Sequence, residues 1–332
     1  MNNITILGTG SWGIALGDGL VNLGHKVTMW QRNEEKILKI QKEKIHPLIS
    51  HYKVHEKLVF TPYLQSSLKD VHFIVVAVPS HGVRELIQSI AEYDIDNSII
   101  INVAKGLEQK TLLTMSQVIC EEFNKKENDI VSLYGPSHAE EVIRKIPTTL
   151  VAASLNHDNA RKVQELFSSN FLRVYTNSDI LGVELGGSLK NVIAIAAGIC
   201  DGIGFGDNTK AAILTRGIAE ITRLGAAMGA RESTFAGLSG IGDLFVTCSS
   251  KFSRNRFVGE EIGKGKRIND ILSKMTMVAE GVNTAEVVHQ LCGRYQVEMP
   301  ISMTVYDVIY NQKDPSDAVI ELMNRDLVSE QY

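Results

Sequence analysis

The sequence predicts an α/β N-terminal domain with a mainly parallel sheet, followed by an all-α C-terminal domain. Three observations carry this. The chain opens with a strand, a glycine-rich turn, a helix and a second strand within about 30 residues, a βαβ unit. Further near-continuous apolar runs then alternate with helical segments, as in a sheet covered on both faces. After residue 179 the strand signals give way to long Ala/Ile/Leu-rich helical periodicity. A length of 332 residues suits two domains, which we expect over 1–179 and 180–332.

In order, the β-branched run Asn3–Leu7 reads as a strand that stops at a glycine cluster. A helix is predicted from about Trp12 to Leu23, and a strand over Lys26–Trp30 after Gly24. Buried-strand signatures follow at His72–Val78, Ser98–Val103 and Ile130–Tyr134, the last ending at Gly135-Pro136. Residues 183–229 read as two helices joined by Asp201-Gly-Ile-Gly-Phe-Gly-Asp207, and 256–275, 282–293 and 301–312 as shorter amphipathic ones. No run approaches the roughly 18 uninterrupted apolar residues of a spanning helix; Val192–Cys200 is the best candidate and too short. The N-terminus lacks the features of a signal peptide, so we expect a cytoplasmic protein without membrane insertion.

Apolar residues make up 44% and charged residues 22%, which excludes a disordered or fibrous chain. The net charge of −4 leaves no global basic field for nucleic acid or an anionic membrane. Any anionic ligand must be caught by a local set of cations. Cys120, Cys200, Cys248 and Cys292 are widely spaced and read as isolated thiols of a reducing compartment. His46, His51 and His55 form the one histidine cluster, and a helix would put His51 and His55 on one face, where they could hold a metal. Pro47 and the mixed pattern indicate a surface connector instead, so no metal is expected and the connector has no assigned role.

The first turn, Gly8-Thr9-Gly10-Ser11-Trp12-Gly13, is a GxGxxG between strand and helix. Gly8 allows the tight turn, Gly10 the approach of a pyrophosphate, and Gly13 close packing of helix on strand. With the second strand it marks a Rossmann-like dinucleotide site; a purely structural glycine turn is the alternative. The second strand ends Trp30-Gln31-Arg32-Asn33. Arg32 stands where an acidic residue would repel a 2′-phosphate, which favours NADP; stacking on the adenine or capping the strand are its other uses.

Lys190 is the one charged side chain between residues 185 and 200. On a helix it shares a face with Gly186, Gly187, Ala194 and Ala197, which leaves room beside it for a ligand. A desolvated lysine also has a lowered pKa suited to proton transfer. A solvated, snorkelling lysine would bring other charges with it. Lys105, in Asn102-Val-Ala-Lys-Gly106, lies at the carboxyl end of a predicted strand, where open α/β sheets bind ligands; a surface lysine is the plainer reading. Ser253-Arg254-Asn255 offers hydrogen-bond donors and one fixed fork for a phosphate monoester, or else a helix cap with solvated arginines.

Taken together, GTGSWG (8–13), VAVPS (76–80), NVAKGLE (102–108), YGPSHAEE (134–141), VELGGSLKNVIAIAAG (183–198), GLSGIGDLFVTC (237–248), SRNR (253–256) and EGVNTA (280–285) resemble the bacterial type of NAD(P)-dependent glycerol-3-phosphate dehydrogenase. The resemblance implies hydride transfer between sn-glycerol 3-phosphate and dihydroxyacetone phosphate, with Lys190 as the proton acceptor. It implies cofactor contacts from Ser11, Trp12, Arg32, Lys105, Ala139, Arg254, Val278 and Glu280. Substrate contacts would come from Lys105, Gly135, Ser137, Lys190, Asp243, Ser253, Arg254 and Asn255. It further implies a homodimer that supplies glycerol phosphate for phospholipid synthesis. Asn33, where relatives often carry a second basic residue, predicts use of both NADP and NAD. The alternatives are a ketopantoate or β-hydroxyacid type of reductase on a similar plan, and a non-catalytic NAD(P)-binding protein.

Overall fold

The computed structural model describes the chain apart from residues 47, 48, 50, 51, 124–128, 276, 328, 331 and 332. The described residues form one eight-stranded sheet: β1 (Asn3–Leu7), β2 (Lys26–Trp30), β3 (Val59–Thr61), β4 (Phe73–Val76), β5 (Ile99–Asn102), β6 (Ile130–Tyr134), β7 (Thr148–Ala153) and β8 (Leu172–Asn177). Their spatial order is β3-β2-β1-β4-β5-β6-β7-β8, and all neighbours are parallel except β6 and β7. Alternate residues serve the two faces. Ile6, Val75 and Ile101 enter one apolar cluster, whereas Leu7, Ile74, Val76 and Ile100 enter another. This double burial is why the strands read as continuous apolar runs. The covering helices are α1 (Ser11–Asn22), α2 (Glu34–Glu43), α3 (Leu64–Ser67), α4 (Val83–Ile90), α5 (Met115–Phe123), α6 (Ala139–Val142) and α7 (His157–Phe167).

The remainder is helical: α8 (Ile180–Ile203), α9 (Asp207–Ala227), α10 (Glu232–Phe235), α11 (Asp243–Ser249), α12 (Arg254–Gly263), α13 (Ile268–Leu272), α14 (Glu280–Tyr295), α15 (Pro300–Tyr310) and α16 (Pro315–Met323). The expected helix over 256–275 is thus two, broken where Gly265 takes a left-handed φ of 85°. Helix α8 is the axis of this half. Asp179 caps its start, accepting the Gly182 N–H at 2.9 Å, and Gly204 ends it with φ 95°. By length and composition α8 is apolar enough to cross a membrane, although Glu184 and Lys190 interrupt it and nearly all of that stretch is buried inside the protein. An apolar surface all round is what a central core helix needs.

Helices α8 and α12 cross backbone to backbone. A Cβ added to Gly198 would lie 2.0 Å from the Arg256 carbonyl oxygen, and one on Gly259 would lie 2.0 Å from that of Ile195. Gly202 and Gly263 continue the contact one turn further on. This crossing brings the start of α12 beside the middle of α8.

The histidine connector differs from a plain surface loop. His46 is buried and its Nε2 sits 2.8 Å from the Thr9 carbonyl oxygen, bracing the glycine turn from behind. Burial lowers its pKa, with the Thr9 contact opposing. His55 instead accepts the Lys57 N–H, and His51 lies outside the described residues.

Candidate active site

The chain leaves β1 toward β2 on one side and returns to β4 on the other, so the sheet reverses direction between β1 and β4. A crevice opens outside the carboxyl ends of strands at such a point. Here Gly8 turns with φ 124°, and a Cβ on it would lie 2.5 Å from the Ala77 carbonyl oxygen beyond β4. A Cβ on Gly13 would lie 2.6 Å from the Gly8 oxygen. Gly10 differs: nothing stands within 4 Å of an added Cβ, so the turn is open on that side. Helix α1 begins at Ser11 with no side chain capping it and no acid in its first turn. Free N–H groups at a helix start, beside an open glycine, fit a pyrophosphate.

From this cradle a cleft of about 360 Å³ runs between the sheet edge and the helical half, a size that suits small-molecule sites. It passes Ser11, Trp12 and Ala139, reaches Lys105, Lys190 and Asp243, and is closed by Ser253, Arg254, Asn255, Val278 and Glu280. Ser137 also lines it. Three of the expected residues are not part of its wall: Gly8, whose turn packs against the Ala77 carbonyl oxygen, Gly135 and Arg32. Gly135 contributes its carbonyl, which accepts from Lys105 Nζ at 3.0 Å. Arg32 lies exposed after β2, ion-paired with Glu85 on α4 at 2.6 Å.

The chemistry concentrates on one carboxylate shared by two ammonium groups. Lys190 Nζ donates to Asp243 Oδ1 at 2.5 Å and to Thr247 Oγ1 at 2.5 Å. Lys105 Nζ donates to Asp243 Oδ2 at 2.6 Å. Lys190 and Asp243 are buried. Desolvation pushes the Lys190 pKa down to about 8; Asp243 opposes this and the nearby Lys105 charge adds to it. Burial alone would raise the Asp243 pKa, but the two lysines outweigh it and hold the carboxyl below its ordinary value. An ammonium has three donors, so Lys190 has one left beyond its two partners.

The surroundings of Lys190 differ from the sequence expectation. The small residues beside it do not leave room for a ligand. A Cβ on Gly187 would meet the Tyr134 ring at 2.5 Å, and one on Gly186 the Ser239 carbonyl oxygen at 2.8 Å. They let protein pack against α8, and Lys190 reaches the cleft past them.

Around Arg254 the helix cap expected from the sequence is present. Ser253 caps α12, accepting the Arg256 N–H at 3.2 Å, and also lines the cleft. Arg254 enters no ion pair among the described residues, although Glu280 and Glu140 act on its charge. Arg256 points away and pairs with Asp201 at 2.6 Å. Asn255 donates to Asn191 Oδ1 and accepts the Gly281 N–H, each at 2.9 Å, tying α12 to α8 and α14. Glu280 accepts the Ser80 N–H at 3.0 Å and Ser80 Oγ at 2.6 Å, clasping the helical half to the loop after β4.

Sequence reasoning missed Thr247 and His138. Thr247 stands one helical turn after Asp243, the spacing at which side chains meet. His138 lines the cleft with its Nε2 buried and unpartnered, and burial lowers its pKa, aided by the Lys190 charge.

Residues 3–160 match the family model for the NAD-dependent glycerol-3-phosphate dehydrogenase N-terminus, and residues 179–320 that for its C-terminus. The chain is 49% identical over 325 residues to glycerol-3-phosphate dehydrogenase [NAD(P)+] of Prosthecochloris aestuarii, covering 97% of this chain and 98% of that one. It is 47% identical over 323 residues to the protein so named from Thermoanaerobacter, covering 97% of each. The solved glycerol-3-phosphate dehydrogenase of Coxiella burnetii superposes with a TM-score of 0.93 at 34% identity, covering 98% of this chain and 99% of that one. With this similarity spanning both halves and the cleft between them, the chain belongs to the NAD-dependent glycerol-3-phosphate dehydrogenase family.

Proposed function

We propose that this chain catalyses NAD(P)-dependent interconversion of sn-glycerol 3-phosphate and dihydroxyacetone phosphate. One observation supports it above the others: Asp243, shared by Lys190 and Lys105, lies in the same cleft as an open glycine cradle and an arginine without an ion-pair partner among the described residues. Residues 1–179 form the cofactor-binding part in this reading, and 180–332 the substrate and catalytic part. Gly8, Gly10, Ser11, Trp12 and Gly13 hold the dinucleotide with Arg32, Ala139, Val278 and Glu280. The bound nicotinamide carries the hydride.

The chain's own residues do the rest. Arg254, Ser253 and Asn255 receive the phosphate at the start of α12, where donors and helix dipole favour an anion. Lys105, Gly135 and Ser137 line the polar end of the substrate. Lys190 Nζ takes the proton of the C2 hydroxyl during oxidation and returns it during reduction, a role open to a lysine with a pKa of about 8. Asp243 orients both lysines and offsets their mutual repulsion. Both NADP and NAD serve, since Arg32 can meet a 2′-phosphate while Glu85 and Asn33 moderate that preference. Family membership supports a cytoplasmic homodimer that supplies glycerol phosphate for phospholipid synthesis.

The test is the near-ultraviolet absorbance of NADPH or NADH incubated with dihydroxyacetone phosphate. We expect oxidation with at least one cofactor, and far less with unphosphorylated dihydroxyacetone. Turnover of ketopantoate or a β-keto acid in place of the phosphate ester would overturn the reading, as would no turnover at all.

A further inference from the structure

One fully buried carboxylate takes no part in that reading. Glu184 stands on α8, six residues before Lys190, and is 0% exposed. Its Oε1 accepts from Asn102 Nδ2 at 2.7 Å, Ser132 Oγ at 2.7 Å and the Ser116 N–H at 3.1 Å. Its Oε2 accepts from Ser116 Oγ at 2.6 Å. The donors come from β5, β6 and α5, so a single side chain ties α8 to three elements of the sheet half. None is a cation. A charge so placed is costly to bury and stands only because its lone pairs are satisfied. Apolar packing would dock the helix at lower cost, so the carboxylate calls for another reason.

The network continues toward the site. Asn102 Nδ2 also donates to the Tyr134 hydroxyl at 3.1 Å, and Asn102 Oδ1 accepts the Ala104 N–H at 3.0 Å. The Tyr134 hydroxyl donates to the Ala104 carbonyl oxygen. Both backbone groups of Ala104 are therefore pinned, and the next residue is Lys105. The Tyr134 ring fills the space beside Gly187 on α8, one turn before Lys190. Lys190, through α8, and Lys105, through Ala104, thus leave from the same buried polar network.

We propose that Glu184, Asn102 and Tyr134 are positioning residues that set the spacing of Lys190 and Lys105 across Asp243, and thereby govern proton transfer at Lys190. The inference rests on the Lys190 role above. Tyr134→Phe keeps the ring and removes two hydrogen bonds, the one from Asn102 Nδ2 and the one to the Ala104 carbonyl, freeing that carbonyl and loosening Lys105. As Lys105 withdraws, its repulsion of Lys190 weakens and Asp243 acts more fully on Lys190, which then keeps its proton to higher pH. The other titratable groups acting on Lys190 are Cys248 on α11 and His138 ahead of α6; neither hydrogen-bonds to the network.

The experiment compares wild type, Tyr134→Phe, Glu184→Gln and Lys190→Ala in glycerol phosphate oxidation across pH, per site titrated with NADPH. We expect Tyr134→Phe to lower kcat on the order of 10-fold, leave NADPH affinity unchanged and move the rising limb of the kcat profile to higher pH. Glu184→Gln should act in the same direction; should it fail to fold, Tyr134→Phe carries the test. A network serving stability alone would lower Tm and the number of sites but leave kcat per site and the limb at wild-type values. That result, beside an inactive Lys190→Ala, overturns the network proposal only. Near-normal turnover by Lys190→Ala overturns the Lys190 assignment, and the inference with it.

Discussion

The crossing of α8 and α12 gives a prediction whose size follows from the structure. A Cβ on Gly259 would stand 2.0 Å from the Ile195 carbonyl oxygen, roughly 1.4 Å short of ordinary contact. Backbone faces backbone there, so no rotamer change relieves the clash and Gly259→Ala must part the helices. Overpacking of this kind costs about 1–3 kcal/mol, and the better helix propensity of Ala offsets about 1 kcal/mol of it. The expected net loss is up to about 2 kcal/mol, a Tm fall of up to about 8 °C for a protein of this size. The same movement shifts Ser253, Arg254 and Asn255 away from Lys190, because one set rides on α12 and the other residue on α8. We therefore expect KM for dihydroxyacetone phosphate to rise about 10-fold, with KM for NADPH much less changed. Gly19→Ala is the control: it is helical, with nothing within 4 Å of the added Cβ, and should be neutral or stabilising by up to about 1 kcal/mol. Thermal unfolding and steady-state kinetics read both effects. A Gly259→Ala protein with wild-type Tm and wild-type substrate KM refutes the argument.

Lys190 must carry a proton to serve carbonyl reduction and must lack it to serve oxidation. With its pKa pushed down to about 8 by burial, reduction at saturating substrate should fall as pH rises through about 8, while oxidation rises over the same range. Rates independent of pH in both directions would remove Lys190 as the titrating group. At the cofactor's far end, the Arg32–Glu85 pair is largely exposed and contributes at most about 1 kcal/mol. Glu85→Gln should accordingly lower KM for NADPH by no more than about fivefold and leave NADH unaffected, whereas Arg32→Ala should raise KM for NADPH. An unchanged NADPH preference in Arg32→Ala would end the 2′-phosphate role.

Local signals made the first half of the fold legible. β1, α1, β2, β5 and β6 lie where apolar runs and glycine punctuation placed them, within about two residues. Strands β7 and β8 went unread. Thr148–Ala153 ends in two alanines, which carry little strand propensity, and Leu172–Asn177 alternates buried with exposed residues over only a short span. Tertiary pairing makes them strands, and the antiparallel turn at β6–β7 has no short-range signature. In the site, Lys190 was legible because a lone charge in an apolar helix is anomalous, although its small neighbours serve packing. The glycine pairs Gly198/Gly202 and Gly259/Gly263 stood in plain view at four-residue spacing, but nothing local says which helix each faces. Thr247, His138 and Glu184 act through partners far away in the chain, so their roles exist only once the sheet edge and α8 meet.

Depth separates the two lysines of the site. Both bond to Asp243, and chemically they are identical. The Lys105 side chain is 22% exposed and has the Gly135 carbonyl as a second partner. The Lys190 side chain is 6% exposed, with a hydroxyl as its second partner. Burial therefore bears harder on Lys190, and the positive charge of Lys105 adds to the pressure. Asp243 keeps that pressure from going further: without it, two ammonium groups would repel at close range and the Lys190 pKa would fall lower still. Two ammonium groups on one carboxylate thus leave one net positive charge, and in the proposed mechanism the inner lysine is the proton carrier. A chain with net charge −4 can bind an anion in this way without a basic surface, because the cations are held where the substrate goes and one carboxylate keeps them together.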